Sequence, residues 1–333
     1  MFKSKIYGIL MFLPVLLFAQ THNRIIFLHH STGGNVYNYP AKGVPQWFSE
    51  YNSAHGTNFQ ISDRWYPADN NMPIDYYQEW IDGTGLDSLT QDYDVIIWKH
   101  CYPASDVNVN TGNIDPSSSY QSIENYKAIY RLLRGKMDSF PDKIFIVWTI
   151  PPRHRLYGPS SGDTIGNAER ARSFTFWVKD TFLNEDGEHP NIYIFDFRGI
   201  VADSDNLFLK YEYERSHTGT DSHPNDSANN VAGPQFAQFI VDAVSDFEAN
   251  EVNENSGKNN AGFNVFRKVL YFRRMERDEK VIIYDRSGKI LYTFTAARSG
   301  AIEMPVSVFR NGVYFYRILG NKYIKSGKFI VVH

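Results

Sequence analysis

Four short runs of unbroken apolar residues constrain what this chain can fold into. They are RIIFL at 24–28, DVIIW at 94–98, KIFIVWTI at 143–150 and NIYIF at 191–195. A segment that is apolar at nearly every position leaves no face for water, so it suits a strand covered on both sides, as in a parallel sheet. NFQIS at 58–62 is a weaker fifth candidate. Between the runs lie segments of helical period. IENYKAIYRLLRGKM sets Ile123, Tyr126, Tyr130, Leu133 and Met137 on one face. NAERARSFTFWVKDTFL and ANNVAGPQFAQFIVDAV read similarly, the second interrupted by Gly233 and Pro234. Strand alternating with helix predicts an α/β sandwich over residues 21–247.

The texture then changes. FEANEVNENSGKNNAG, at 247–262, is polar and almost free of apolar residues, so 248–262 reads as a linker. Beyond it, KVIIYDRSGKILYTFT, AIEMPVS, GVYFYRIL and KYIKSGKFIVVH are strand-like and separated by Ser-Gly, Asn-Gly and Gly-Asn turn signals. Residues 263–333 therefore predict a small all-β sandwich. At the other end, Lys3 and Lys5 precede an apolar run from Ile6 to Phe18 and a small residue, Ala19. That run is short for a membrane span, so residues 1–20 read as a secretory signal peptide, with no transmembrane anchor expected in the mature chain. The single cysteine, Cys101, excludes an internal disulfide and lacks the paired spacing of a structural zinc site. A formal net charge of −3 without a basic block argues against nucleic acid as a partner. The aromatic content of 16 % suits a sugar-binding surface as well as a core. Trp47, Trp65, Tyr66, Tyr76, Tyr77 and Trp80 are candidates for either place.

The chemistry gathers at two points. HHSTGG, at 29–34, follows the first apolar run, and ligands bind beyond the carboxyl ends of parallel strands. Ser31 there is a candidate nucleophile, and Gly33 and Gly34 would let backbone N–H groups approach an oxyanion. A phosphate at a helix N-terminus is the alternative use of such a loop. DSHPN, at 221–225, places Asp221 and His223 before the last helical segment, and a histidine steadied by a carboxylate is the base a serine needs. His29 and His30 are adjacent, so on an extended chain they point to opposite sides. A metal held by these histidines with Asp221, His223 and Cys101 lacks a recognised ligand pair. Arg153, His154 and Arg155 form a basic turn, read either as a solvated loop or as a contact for an acidic sugar.

With these residues in order, residues 23–247 resemble the SGNH (GDSL-like) hydrolase superfamily. HHSTGG stands at its first block, YDVIIWKHCYPASD and KIFIVWTIPPRHR at its third block and the strand after it, and DSHPN at its last. The resemblance implies a flavodoxin-like three-layer sandwich and ester hydrolysis without metal or cofactor, often of acyl groups on carbohydrates. It carries the nucleophile onto Ser31 and the base onto His223. Three departures stand out. His29 and His30 replace the usual Gly-Asp, and Asp221 lies two rather than three residues before His223. The third-block asparagine is absent, its loop offering Lys99, His100, Cys101 and Ser105, with His100 or Lys99 as substitute oxyanion donors. Gly83 and Gly85 are the candidates for the second-block glycine.

The tail resembles the C-terminal sorting domain of cargo of the bacterial type IX secretion system, through VIIYDRSGKIL, FRNGVYFYRILGN and the closing KSGKFIVVH. That implies export through the periplasm to the medium or outer surface, with the secretion machinery as partner. The expectation is thus a secreted serine esterase acting on an acylated glycan or small ester. A non-catalytic glycan-binding or surface protein on the same fold is the alternative.

Overall fold

A computed structural model describes residues 21–68, 70–255, 261–264, 269–275, 277–296, 300–305, 308–310, 312–320 and 324–331. The expected signal peptide lies outside the described residues. The apolar runs form β1 (Arg24–His29), β3 (Val95–Trp98), β4 (Ile144–Trp148) and β5 (Ile192–Phe195), and the weaker candidate lies at β2 (Gln60–Trp65). The five pair in parallel in the order β2-β1-β3-β4-β5, the flavodoxin-like arrangement. β2 is an edge strand with its side chains largely exposed, which is why it lacks the apolar signature of the others.

Helices cover both faces. On one side lie α1 (Ser31–Tyr37), α2 (Val44–His55), α7 (Phe197–Val201) and α8 (Asp226–Asn255), which bury Val36, Phe48, Phe197 and Phe236 against Phe27, Ile97 and Trp148. On the other lie α3 (Pro73–Tyr77), α4 (Gly85–Asp92), α5 (Ile123–Asp138) and α6 (Thr164–Asp180), which bury Tyr76, Leu86, Tyr130 and Phe174 against Leu28, Trp98 and Val147. The expected face of α5 is the buried one, with Ile129 added to it.

Two expectations need correction near α8. Gly233 and Pro234 do not interrupt it. Pro234 removes one backbone donor. Gly233 answers a steric need: a Cβ there would lie 2.1 Å from Cδ1 of the buried Tyr39 ring. The linker is also shorter than its composition suggests, because α8 continues to Asn255. The sequence after Phe247 carries no apolar stripe to betray a helix.

The tail is all β, as expected. β6 (Ala261–Asn264), β7 (Val269–Met275) and β10 (Gly300–Pro305) form an antiparallel sheet in the order β10-β7-β6. A second antiparallel sheet, β12-β11-β8-β9, comprises β8 (Lys280–Asp285), β9 (Ile290–Thr295), β11 (Gly312–Leu319) and β12 (Ile324–Val331). Phe272, Ile283, Tyr316 and Val331 lie in their common core. The Ser-Gly turn joins β8 to β9: Asp285 Oδ1 accepts from the Ser287 and Lys289 N–H groups, and Gly288 takes the positive φ of 83°.

Replacing Gly233 by alanine would press a methyl group into the Tyr39 ring and is expected to cost about 1–3 kcal/mol. Urea unfolding of the full chain measures this; a midpoint equal to that of the parent chain would refute the close approach.

Candidate active site

Alternation along β1 decides what reaches the site. Ile25 and Phe27 face α8, Ile26 and Leu28 face the opposite layer, and the two histidines continue the pattern. His29 packs against the Phe27 and Tyr37 rings, with Nε2 2.9 Å from Asp63 Oδ2. His30 turns the other way, stacks on Trp65 at 4.0 Å and donates from Nε2 to the Pro67 carbonyl at 2.7 Å. Ser31 comes next and opens α1.

The Ser31 hydroxyl lies 2.8 Å from His223 Nε2. The other ring nitrogen, Nδ1, is 2.6 Å from Asp221 Oδ1, which also accepts the His223 backbone N–H at 3.0 Å. That double contact explains how a carboxylate only two residues away reaches the ring: it closes a local turn on its own backbone. Tyr102 stands edge-on to the imidazole at 4.7 Å. The loop is fixed from outside as well. Ser222 Oγ accepts from the His154 N–H, Arg215 Nε donates to the Pro224 carbonyl, and the Asn225 side chain donates to the Glu212 and Glu214 carbonyls.

The substitute donors fall differently from expectation. The Gly33 and Gly34 N–H groups both donate to the His30 carbonyl, at 2.8 and 3.2 Å, so neither is free for an oxyanion. Their role is steric. A Cβ on Gly33 would lie 2.4 Å from His29 Cβ and 2.9 Å from Lys99 Cδ, so the missing side chain lets α1 sit down on the strand end. Beyond β3, Val95 and Ile97 face the α8 side whereas Ile96 and Trp98 face the other. His100 follows Trp98 into the core, between the Trp98, Tyr76 and Tyr130 rings, with Nδ1 on the Asn71 carbonyl. It is fully buried and does not face Ser31. Ser105 donates to the Pro151 carbonyl and is likewise buried. Gly83 and Gly85 pack against the Glu79 carbonyl.

The side chain that does reach Ser31 is Cys101, whose Sγ lies 3.4 Å from both Ser31 Oγ and Thr32 Oγ1. Lys99 shares its face and is fully buried, with no oxygen partner for its ammonium among the described residues. Burial pushes the Cys101 thiol up, but the Lys99 charge and the hydrogen bonds from Ser31 and Thr32 outweigh it and hold the thiol at about 7. Burial lowers Lys99, against the opposing pull of Cys101. Burial also lowers His29, more than its bond to Asp63 restores, and takes His100 down to about 3, so His100 is neutral. Burial raises Asp221, yet the His223 backbone and ring N–H groups bring it below its usual value.

The basic turn is not a solvated loop. Arg153 pairs with Asp106 and lies 3.8 Å over the Tyr157 ring. His154 and Arg155 close on Glu214, itself buried, at 3.3 and 3.0 Å. Of the aromatic candidates, Tyr76 and Trp80 are core, while Trp65 is 59 % exposed beside His30.

Residues 245–332 match the family model described as a secretion system C-terminal sorting domain. The protein is therefore one exported by the type IX route, secreted or held at the outer surface, with that machinery as the partner of its tail. No curated protein matches the chain. Among solved structures it is similar to a protein from Desulfitobacterium hafniense assigned to the lipolytic G-D-S-L family. That likeness has 13 % identity and a TM-score of 0.36, and covers 66 % of this chain and 99 % of the other. It is also similar to a carbohydrate esterase family 2 enzyme with a carbohydrate binding domain from Corynascus thermopiles, at 11 % identity and a TM-score of 0.30, covering 70 % and 69 %. A third likeness is to an immunoglobulin-like β-sandwich protein of the DUF3244 family from Bacteroides vulgatus. It has 19 % identity and a TM-score of 0.20, and covers 22 % and 85 %.

The thiol of Cys101 is expected to titrate near 7. In Lys99→Met only burial and neutral hydrogen bonds remain, so the midpoint should rise toward or past the ordinary thiol value of about 8.5. Thiolate ultraviolet absorbance followed against pH reads both; an unmoved midpoint would sever Lys99 from the thiol.

Proposed function

We propose that residues 21–247 are a secreted serine ester hydrolase of SGNH type acting on acylated glycans, and that 263–333 serve as its sorting domain. The observation that carries this reading is the unbroken relay from Ser31 Oγ through the His223 ring to Asp221, at 2.8 and 2.6 Å. It is assembled across 192 positions of chain, at the carboxyl end of a parallel sheet.

In this reading Ser31 Oγ attacks the ester carbonyl as its proton passes to His223 Nε2. The Asp221 carboxylate holds Nδ1–H, fixes the tautomer and stabilises the imidazolium. The tetrahedral intermediate collapses, and the departing alkoxide takes the proton from Nε2 to leave as an alcohol. Water then attacks the acyl-serine with His223 again as base, releasing the carboxylic acid and restoring the hydroxyl. For the oxyanion, the Ser31 N–H is available because the first residues of a helix have no acceptor within it. Lys99 adds a buried positive charge behind Cys101. Acylated sugars are favoured as substrates by export and by the aromatic rings around the site, Trp65 and Tyr102 among them.

Hydrolysis of a short-chain aryl acetate tests the relay. Ser31→Ala and His223→Ala are each expected to lower kcat by about 10⁴-fold or more. Asp221→Asn should lose less, because its carboxylate is partly solvated and shared with Arg215 at 3.6 Å. Equal rates in the parent chain and both alanine variants would overturn the reading and favour a binding protein on this fold.

A further inference from the structure

Two acceptors compete for one proton at the Ser31 hydroxyl. Ser31 Oγ lies 2.8 Å from His223 Nε2 and 3.4 Å from Cys101 Sγ. A hydroxyl has a single proton, so it donates to only one of these neighbours at a time. Asp221 Oδ1, at 2.6 Å, holds a proton on His223 Nδ1 and leaves Nε2 as an acceptor. With Cys101 protonated, its S–H donates to Ser31 Oγ, and the Ser31 proton points at Nε2. With Cys101 ionised, the sulfur only accepts. A charged acceptor makes the stronger bond, so the thiolate turns the Ser31 hydroxyl away from the imidazole. A negative charge so close also opposes the one that builds on an ester carbonyl under attack.

The surroundings serve both states of the sulfur. Thr32 Oγ1, also at 3.4 Å, is a second hydroxyl partner. Lys99 lies fully buried on the same face, with no oxygen partner among the described residues. Burial raises the thiol, but Lys99 and the hydrogen bonds to Ser31 and Thr32 bring it to about 7. The other ionisable groups around it lie on four elements. Burial lowers His29 and His30 at the end of β1, His29 being paired with Asp63 of β2. Burial raises Tyr102, after β3, where Arg153 and Arg215 oppose it. Burial raises Asp221, before α8, yet the His223 N–H groups bring it below its ordinary value. Burial lowers Lys99 itself, and Cys101 opposes that shift.

We propose that Cys101 is a positioning residue for Ser31: as a thiol it aims the Ser31 proton at His223, and as a thiolate it takes that hydrogen bond for itself. That this reversal closes an esterase as the medium turns alkaline rests on the hydrolase reading above; the reversal itself does not.

Two measurements on the full chain test it. The first is the pH dependence of kcat for a short-chain aryl acetate. Between one pH unit below the thiol midpoint and one above, kcat should fall about tenfold, as the thiol fraction does. Cys101→Ser, whose hydroxyl donates without ionising in this range, should lose that fall. Lys99→Met should carry it to higher pH with the thiol midpoint, which separates the sulfur from the lysine as its source. A kcat level across the midpoint, or falling equally in Cys101→Ser, would overturn the gating. The second measurement needs no turnover. Besides the step of its own protonation, the His223 Cε1–H resonance should step at the thiol midpoint, and Cys101→Ser and Ser31→Ala should each lose that step. Its absence from the parent chain, or its survival in Ser31→Ala, would overturn the proposal, since a bare charge effect needs no hydroxyl. The two readings fail separately. A Ser31-dependent step in a chain that cleaves no ester keeps the reversal and sinks the hydrolase, whereas ester hydrolysis without the step sinks the reversal alone.

Discussion

The site depends on one close approach. Gly33 has no Cβ where His29 and Lys99 already occupy the space, so α1 settles directly onto the end of β1. Its first residue, Ser31, is thereby presented beyond the sheet with its hydroxyl toward the last loop of the domain. A parallel sheet covered on both faces leaves its carboxyl edge as the natural place for such a loop. The tightness of the strand-to-helix turn converts that edge into a fixed geometry. Gly33 and Gly34 thus act through the backbone path, with their N–H groups spent on the His30 carbonyl that begins the helix.

The other half of the relay is held by a different kind of constraint. His223 belongs to a loop, and loops keep a position only where their polar groups are tied down. Here Glu214 gathers His154, Arg155 and His217 on a buried carboxylate, and its backbone forms a bridge with Pro224 next to the histidine. Asn225 fastens the same stretch to residues 212–214, and its Oδ1 accepts a hydrogen bond from the Ala228 N–H in the first turn of α8. Losing Glu214 would leave His154 and Arg155 without that anion and free the loop, so its influence on Ser31 would pass through position alone.

The sequence signals were legible where they were local. Strands buried on both faces announce themselves by composition, whereas β2, exposed at the edge, hardly does. Helix α5 carries an apolar stripe, but the last turns of α8 have none, and they read as linker. Ser31, Asp221 and His223 stand in short motifs and meet in the structure. Distant partners left no such trace. Nothing near Arg153 or Arg155 announces Asp106 or Glu214, so the basic turn read as solvated although both charges are neutralised within the fold. His100 is a different case, because a signal was available. Counting by two from Val95 sends Lys99 and Cys101 toward Ser31 and His100 into the core, which the period of a strand predicts if it is carried two residues past the strand's end.

Lys99 and Cys101 then connect the packing of the site to its electrostatics. The lysine stem lies in the space that a Cβ on Gly33 would claim, and its ammonium, sealed from water, acts on the thiol that touches Ser31. An ammonium buried without a carboxylate is costly, and a nearby group that ionises readily reduces that cost. The cysteine is the group positioned to do so, which accounts for a thiol held low despite its burial. A larger residue at position 33 would therefore disturb Ser31 by two routes at once. It would lift α1 from the strand, and it would displace the charge that sets the protonation of the sulfur beside the Ser31 hydroxyl.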